Sequence, residues 1–153
     1  MVSPLLLTDP GKGPRFLFNI GGNVGPGCQN DQADVQFVQL GYYAMVRDPK
    51  NSSALTAAER SALGKIVPGA FYSGAAQDPL TLAIVAHEKS RGGAQDGHVS
   101  VVRGGGQYGQ QVFIVVKLNL SLIDTMRGDY PRLDKHPKCP AVLRSNILRI
   151  LVG

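Results

Sequence analysis

The spacing of apolar residues predicts a chain built mainly of helices. Three segments carry this pattern, residues 32–46, 56–67 and 78–91. Apolar residues three and four positions apart fall on one face of an α-helix. In the first segment that face consists of Val35, Val38, Tyr42, Met45 and Val46. We therefore expect three helices that bury their apolar faces in one shared core.

Capping residues mark the ends of these helices. Thr56 and Glu59 have the spacing of a capping box, in which each side chain accepts a hydrogen bond from the other residue's backbone N–H. A proline at the first helical position costs nothing, because the N–H that it lacks has no partner within the helix. The other signals are Asn30 or Asp31 before the first helix, Asp78-Pro79 before the third and Gly92-Gly93 after it.

Residues 112–126 fit two patterns. Their polar positions Lys117, Asn119 and Ser121 alternate with leucines, as in a strand. An apolar stripe at helical spacing is also present, and about 15 residues without a turn signal is long for a strand. Helix is the favoured prediction. The helical stripe consists of Val112, Val116, Leu120 and Ile123.

The expected fold is mainly α, a small helical bundle in three parts. Residues 1–30 form a Gly/Pro-rich arm, in which "RFLFNI" is either a strand or an extended segment lying on the domain. The sequence also allows one short β-hairpin, without fixing its position. Residues 31–126 form the helical domain. Residues 127–153 form a basic loop and a last helix that begins at Pro140 and packs on the domain.

Positive charge is concentrated at the end of the chain. The net charge is +5, and residues 127–153 hold six basic against two acidic residues, or +4 of it. This favours an anionic partner, although a solvated face without a partner remains open. Nucleic acid is not favoured, since no basic stretch has interleaved aromatic residues. The basic residues are Arg127, Arg132, Lys135, Lys138, Arg144 and Arg149.

The candidate chemical groups indicate neither an enzyme nor a metal or cofactor site. His136 and Cys139 have a zinc-ligand spacing, but a structural zinc site needs a second paired cluster. His87 lies on an apolar stripe and is interpreted as a buried histidine with its polar edge satisfied, whereas Glu88 points about 100° away around the helix. Cys28 and Cys139 could form a disulfide or remain two thiols.

The sequence shows no targeting segment. "MVSPLLL" lacks the basic start of a secretory signal. No apolar run reaches the roughly 18 residues that a membrane span needs. We expect a protein made in the cytoplasm, which either stays there or leaves as part of a larger particle or by another export route.

Three stretches resemble peptidoglycan-binding-like modules, which are small three-helix bundles found in wall-targeting proteins of phages and bacterial secretion systems. "NVGPGCQNDQADVQFVQLGYY" resembles their first helix. "SGAAQDPLTLAIVAHEKSR" is similar to their later part, where Thr81, Ala83 and Ile84 match but His87 and Glu88 replace the usual Phe-Gln. "DGHVSVVRGGGQYGQQVFIVVKLN" resembles their closing passage. The resemblance covers about residues 20–120.

This resemblance implies a non-catalytic module that binds cell-wall peptidoglycan in a shallow groove between the first and third helices. Tyrosines suit such a groove, because each offers an apolar face and a hydroxyl. The departures from the pattern leave two alternatives, an adaptor or structural subunit of a phage-like, contractile injection or secretion assembly, and a small cell-wall hydrolase. The expected contact residues are Tyr42, Tyr43, Tyr72 and Gln77.

Overall fold

The computed structural model describes residues 1–9, 11–92, 94–103 and 113–153. Within these ranges the chain forms six α-helices and one antiparallel hairpin, which confirms the predicted mainly-α fold. None of the described helices is both long and apolar enough to cross a membrane. The elements are β1 (Ser3–Asp9), β2 (Gly13–Asn19), α1 (Gln32–Arg47), α2 (Pro49–Ser52), α3 (Ala57–Leu63), α4 (Pro79–Arg91), α5 (Ile114–Met126) and α6 (Ala141–Val152).

Helix α1 runs through the middle of the fold. Twelve of its 16 residues are buried, so the single apolar face expected from the sequence underestimates its burial. Helices α3, α5 and α6 pack against it, and Phe37 meets Phe18 of β2 with ring centroids 6.3 Å apart. Gly41 allows α5 to approach closely, because a Cβ at this position would lie 2.6 Å from the Cβ of Leu118.

The predicted helix starts are present. The Asp31 side chain, not that of Asn30, caps α1 by accepting a hydrogen bond from the N–H of Ala33 at 3.1 Å. Both hydrogen bonds of the Thr56–Glu59 capping box form, at 3.0 and 3.1 Å.

The far ends of two helices differ in how well the sequence predicted them. Helix α4 ends at Arg91, and the next residue, Gly92, caps it with a left-handed φ of 73°, as predicted. Helix α3 ends at Leu63 and not at residue 67. Beyond it the chain tightens into turns in which Lys65 and Ile66 donate to carbonyls three residues back, and this brings the Ile66 side chain into the core.

Helix α5 settles the ambiguous segment in favour of a helix. Its strand-like alternation arises because two polar residues, Asn119 and Ser121, are fully buried. The Asn119 amide pairs with the backbone of Phe18, accepting from its N–H and donating to its carbonyl, both at 2.8 Å. Residues 104–112, which belong to the stretch that resembles wall-binding modules, lie outside the described residues, as does Gly93.

The "RFLFNI" segment forms a strand, β2, and it belongs to the core. The hairpin register runs from Ser3 opposite Asn19 to Asp9 opposite Gly13. Leu17 and Phe18 are fully buried. Just before β1, the backbone of Val2 pairs with the buried amide of Asn146 in α6, at 2.8 and 3.3 Å. The hairpin is thus held by hydrogen bonds to helices near the far end of the chain.

Candidate functional site

Two open cavities adjoin at Gln32, an exposed residue in the first turn of α1. The volumes are about 410 and 460 Å³. We call the two together the Gln32 groove. The first is lined by Asn30, Gln32, Val35, Gln36, Gly69, Ala70, Phe71 and Tyr72. The second is lined by Met1, Asp31, Gln32, Ala33, Ala141, Val142, Ser145, Asn146 and Arg149.

Amide side chains of α1 position the segments that line the Gln32 groove. Gln36 and Gln39 follow Gln32 by four and seven residues, so all three lie on one side of the helix. Gln36 is buried, and its Oε1 accepts a hydrogen bond from the N–H of Leu143 in α6 at 2.8 Å. This bond fixes the start of α6, whose exposed side lines the second cavity.

Gln39 positions residues 69–70, which line the first cavity. Its Oε1 accepts from the N–H of Gly69 and its Nε2 donates to the carbonyl of Ala70, both at 2.9 Å. The next two residues are aromatic. Phe71 has 87% of its surface exposed, and Tyr72 is half-buried with its hydroxyl 2.7 Å from the Thr81 hydroxyl of α4. The groove therefore presents one free and one anchored aromatic ring.

Three of the four contact residues expected from the sequence lie elsewhere. Tyr42 is fully buried, with its hydroxyl 3.2 Å from Nδ1 of His87, so its prediction as a contact is corrected. The Tyr43 ring is covered by the guanidinium of Arg47, whose carbon lies 3.6 Å from the ring centroid. Gln77 is exposed but lines neither cavity. Tyr72 alone among the four belongs to the Gln32 groove.

The basic residues of 127–153 have different surroundings. Arg132 binds Asp134 through two hydrogen bonds of 2.8 and 2.7 Å, and Arg144 donates to the carbonyl of Cys139. Arg149 lines the second cavity. The remaining three, Arg127, Lys135 and Lys138, are exposed.

Sequence reasoning missed Phe71, Gln32 and the positioning role of Gln39. A single phenylalanine in a loop gives no signal of exposure, since most phenylalanines are buried. The glutamines lie four and three residues apart, but their amides become informative only when the partners on α6 and on residues 69–70 are known.

A third cavity, of about 360 Å³, lies between α4, the loop after it and the start of α5. We call it the mixed-charge pocket. His87 and Glu88 both line it, although their side chains point in different directions around α4. Its titratable residues are His87, Glu88, Arg91, Asp96, His98 and Lys117.

Burial shifts several pKa values in this pocket. It raises the pKa of Glu88 to about 7, an effect opposed by the N–H of Gly97 and reinforced by the nearby Asp96 carboxyl, with which Glu88 can share a proton. Burial lowers the pKa of His87 to about 4, helped by the charge of Arg91. It also lowers the pKa of Lys117, again with the charge of Arg91.

Only one of the two ring nitrogens of His87 has a hydrogen-bond partner among the described residues, which corrects the expectation of a buried histidine with its polar edge satisfied. Its Nδ1 meets the Tyr42 hydroxyl, whereas its buried Nε2 has no hydrogen-bond partner among the described residues.

Both cysteines are free thiols, so the disulfide that the sequence left open is not formed. Burial raises the pKa of the Cys139 thiol to about 11 and also raises that of Cys28. Both thiols are therefore protonated near neutral pH, when they are poor nucleophiles. In the described part of the chain no group of three or more His, Cys, Asp and Glu side chains is arranged to hold a metal ion.

Comparisons with family models, with curated proteins and with solved structures gave no match for this chain.

Proposed function

We propose that this chain is a non-catalytic module that binds bacterial cell-wall peptidoglycan through the Gln32 groove. The observation that carries the proposal is Phe71, 87% exposed beside Tyr72 in an open groove lined by amide side chains. An exposed aromatic face is apolar surface without a partner, and the C–H face of a sugar ring can cover it.

The shape of the groove suits a polymer better than a small molecule. Its two cavities adjoin at Gln32, with Phe71 in one and Arg149 in the other. The exposed amide of Gln32 can both donate and accept hydrogen bonds, as an N-acetyl group on a sugar requires. Arg149 can pair with a carboxylate of the peptide stem. A glycan with peptide branches offers all three kinds of group.

The acidic residues support binding over hydrolysis. Glycosidases place two carboxyl groups about 5–9.5 Å apart, on either side of the bond that they cleave. The carboxyls of Glu88 and Asp96 are instead close enough to share a proton, which leaves no room for a glycosidic bond between them.

Retention of the chain on purified sacculi at low salt tests the proposal. We expect Phe71→Ala to weaken retention about tenfold or more, because aromatic residues dominate the energy of many binding surfaces. Leu6→Ala is the matched control, since Leu6 is an apolar residue of β1 with 65% of its surface exposed, and it should leave retention unchanged.

A second pair of variants separates a local contact from general charge. Arg149→Gln and Lys138→Gln each remove one positive charge from an exposed site, but only Arg149 lines the groove. We expect the larger loss from Arg149→Gln. Equal losses would show attraction by net charge alone, and no retention of the unmodified chain would refute the proposal in favour of an adaptor role.

A further inference from the structure

The mixed-charge pocket holds groups of both signs, and among its residues Asp96 pairs with His98, whose Nδ1 lies 3.6 Å from the carboxylate. Arg91 and Lys117 form no ion pair with any carboxylate in the described part of the chain. Glu88 accepts a hydrogen bond from the N–H of Gly97 at 2.8 Å, and its other close polar neighbour is the carboxyl of Asp96. Glu88 is buried and Lys117 is half-buried, whereas Arg91 and Asp96 are exposed. Because a buried or half-buried charge without a partner is costly, Glu88 and Lys117 each favour a ligand group of opposite sign.

His87 adds a polar atom without a partner to the lining of this pocket. The Tyr42 hydroxyl has Nδ1 of His87, 3.2 Å away, as its partner in the described structure. We assign the tautomer in which the hydroxyl donates to that nitrogen, because the opposite one would leave the hydroxyl proton without an acceptor. The proton of the neutral imidazole is then on Nε2. This buried N–H has no acceptor among the described residues. Leaving such a donor unsatisfied costs about 1–3 kcal/mol, which an acceptor atom from a ligand or from water would recover.

We propose that the mixed-charge pocket binds a small zwitterion, such as a free amino acid. The carboxylate of the ligand is bound by Arg91 and Lys117, and its ammonium group is bound by Glu88 and Asp96. A simple anion or a simple cation would leave one half of the pocket unpaired. The pocket shares no lining residue with the Gln32 groove, so this inference does not rest on the proposed function.

Binding should release protons near neutral pH. An ammonium group favours the ionised form of Glu88, whose pKa in the free protein is about 7. The other groups that face this carboxyl are Asp96 and His98 on the loop and, across the pocket, His87, Arg91 and Lys117.

Titration calorimetry on the full chain tests the proposal with a series of ω-amino acids: glycine, β-alanine, γ-aminobutyrate and 5-aminovalerate. Butyrate and butylamine are the probes that carry a single charge. We expect at least one amino acid to bind about tenfold or more tightly than either, with a measured heat at pH 7 that depends on the ionisation heat of the buffer. Absence of binding by all four amino acids, or equal affinity for butyrate, would overturn the proposal.

Single substitutions test which residues of the pocket bind the carboxylate of the ligand and which bind its ammonium group. Arg91→Gln and Glu88→Gln should each weaken binding about tenfold or more, and Glu88→Gln should also remove the dependence on buffer. The control is Lys89→Gln, since Lys89 is exposed on the same helix and does not line the pocket. Lys117→Met is a second test of the cationic half if Arg91→Gln does not fold. Equal effects of Lys89→Gln and Arg91→Gln would contradict the proposed site.

Discussion

Replacing Asn119 with alanine should strongly destabilise the fold. The side chain is fully buried and forms four hydrogen bonds. Its Oδ1 accepts from the N–H of Phe18 at 2.8 Å and from the Tyr130 hydroxyl at 3.0 Å. Its Nδ2 donates to the carbonyls of Phe18 and Val115, both at 2.8 Å. Alanine removes all four bonds and leaves several partners inside the core.

The expected loss of unfolding free energy depends on which hydrogen-bond partners of Asn119 keep another hydrogen bond in the variant. Tyr130 also donates to the carbonyl of Phe16 at 3.0 Å, and the Val115 carbonyl lies within α5, where the helix can satisfy it. The N–H and the carbonyl of Phe18 face α5, away from β1, where the opposite residue, Pro4, has no N–H to offer. Two buried groups lose their partners at about 1–3 kcal/mol each, so the expected loss is about 2–6 kcal/mol.

Urea denaturation measures this loss. We expect a lower midpoint for Asn119→Ala with an unchanged slope, because the surface exposed on unfolding is almost the same. Gln77→Ala is the control, since it truncates an exposed amide and should change the unfolding free energy by no more than about 0.5 kcal/mol. A loss below about 1 kcal/mol for Asn119→Ala would show that its amide does not hold the hairpin against α5.

Three further predictions concern packing, titration and capping. Gly41→Ala should cost about 1–3 kcal/mol in the same urea assay, because its new Cβ would lie 2.6 Å from that of Leu118. Burial raises the pKa of Glu88 from an ordinary 4.5 to about 7, so its contribution to stability is complete below pH 4.5 and is lost as the pH rises through 7. Glu88→Gln should flatten the decline in melting temperature over that interval, and an unchanged pH profile would contradict this assignment. Thr56→Ala should lower the unfolding free energy by about 1 kcal/mol, since it leaves the N–H of Glu59 uncapped, whereas a loss near zero would show that water replaces the cap.

Local signals were enough to predict five of the six described α-helices; the exception is α2, one short turn of four residues in a stretch that reads as a loop. The caps Asp31, Thr56 and Asp78 act on backbone groups two or three residues away, so their effect can be read from the sequence. The strand-like pattern in α5 was misleading for a physical reason. Pattern rules treat Asn119 and Ser121 as solvent-facing, but both are buried, and partners distant in the chain satisfy the Asn119 amide.

The candidate sites were harder to predict, because side chains from distant segments form them. Tyr42 was predicted as a contact because a tyrosine offers an apolar face and a hydroxyl, but the central position of α1 buries its side chain. Phe71 has no distinctive sequence context, and its exposure depends on how Gln39 fixes residues 69–70. His87 and Glu88 line the same pocket because the loop after α4 folds back toward α5, which the sequence did not indicate.

Buried amide side chains determine which segments of this chain become neighbours. Asn119 joins α5 to β2 across 101 residues, and Asn146 joins α6 to Val2 across 144. Apolar contacts tolerate many arrangements, whereas a buried amide is satisfied only where its partners lie at the right distance and angle, so these bonds favour one topology over its competitors. Gln36 fixes α6 and Gln39 fixes residues 69–70 beside the Gln32 groove in the same way. Replacing Gln39 by methionine, which keeps the volume but removes both bonds, should therefore weaken sacculus binding by releasing Phe71. If Gln39→Met binds like the unmodified chain while Phe71→Ala does not, the position of the ring does not depend on α1.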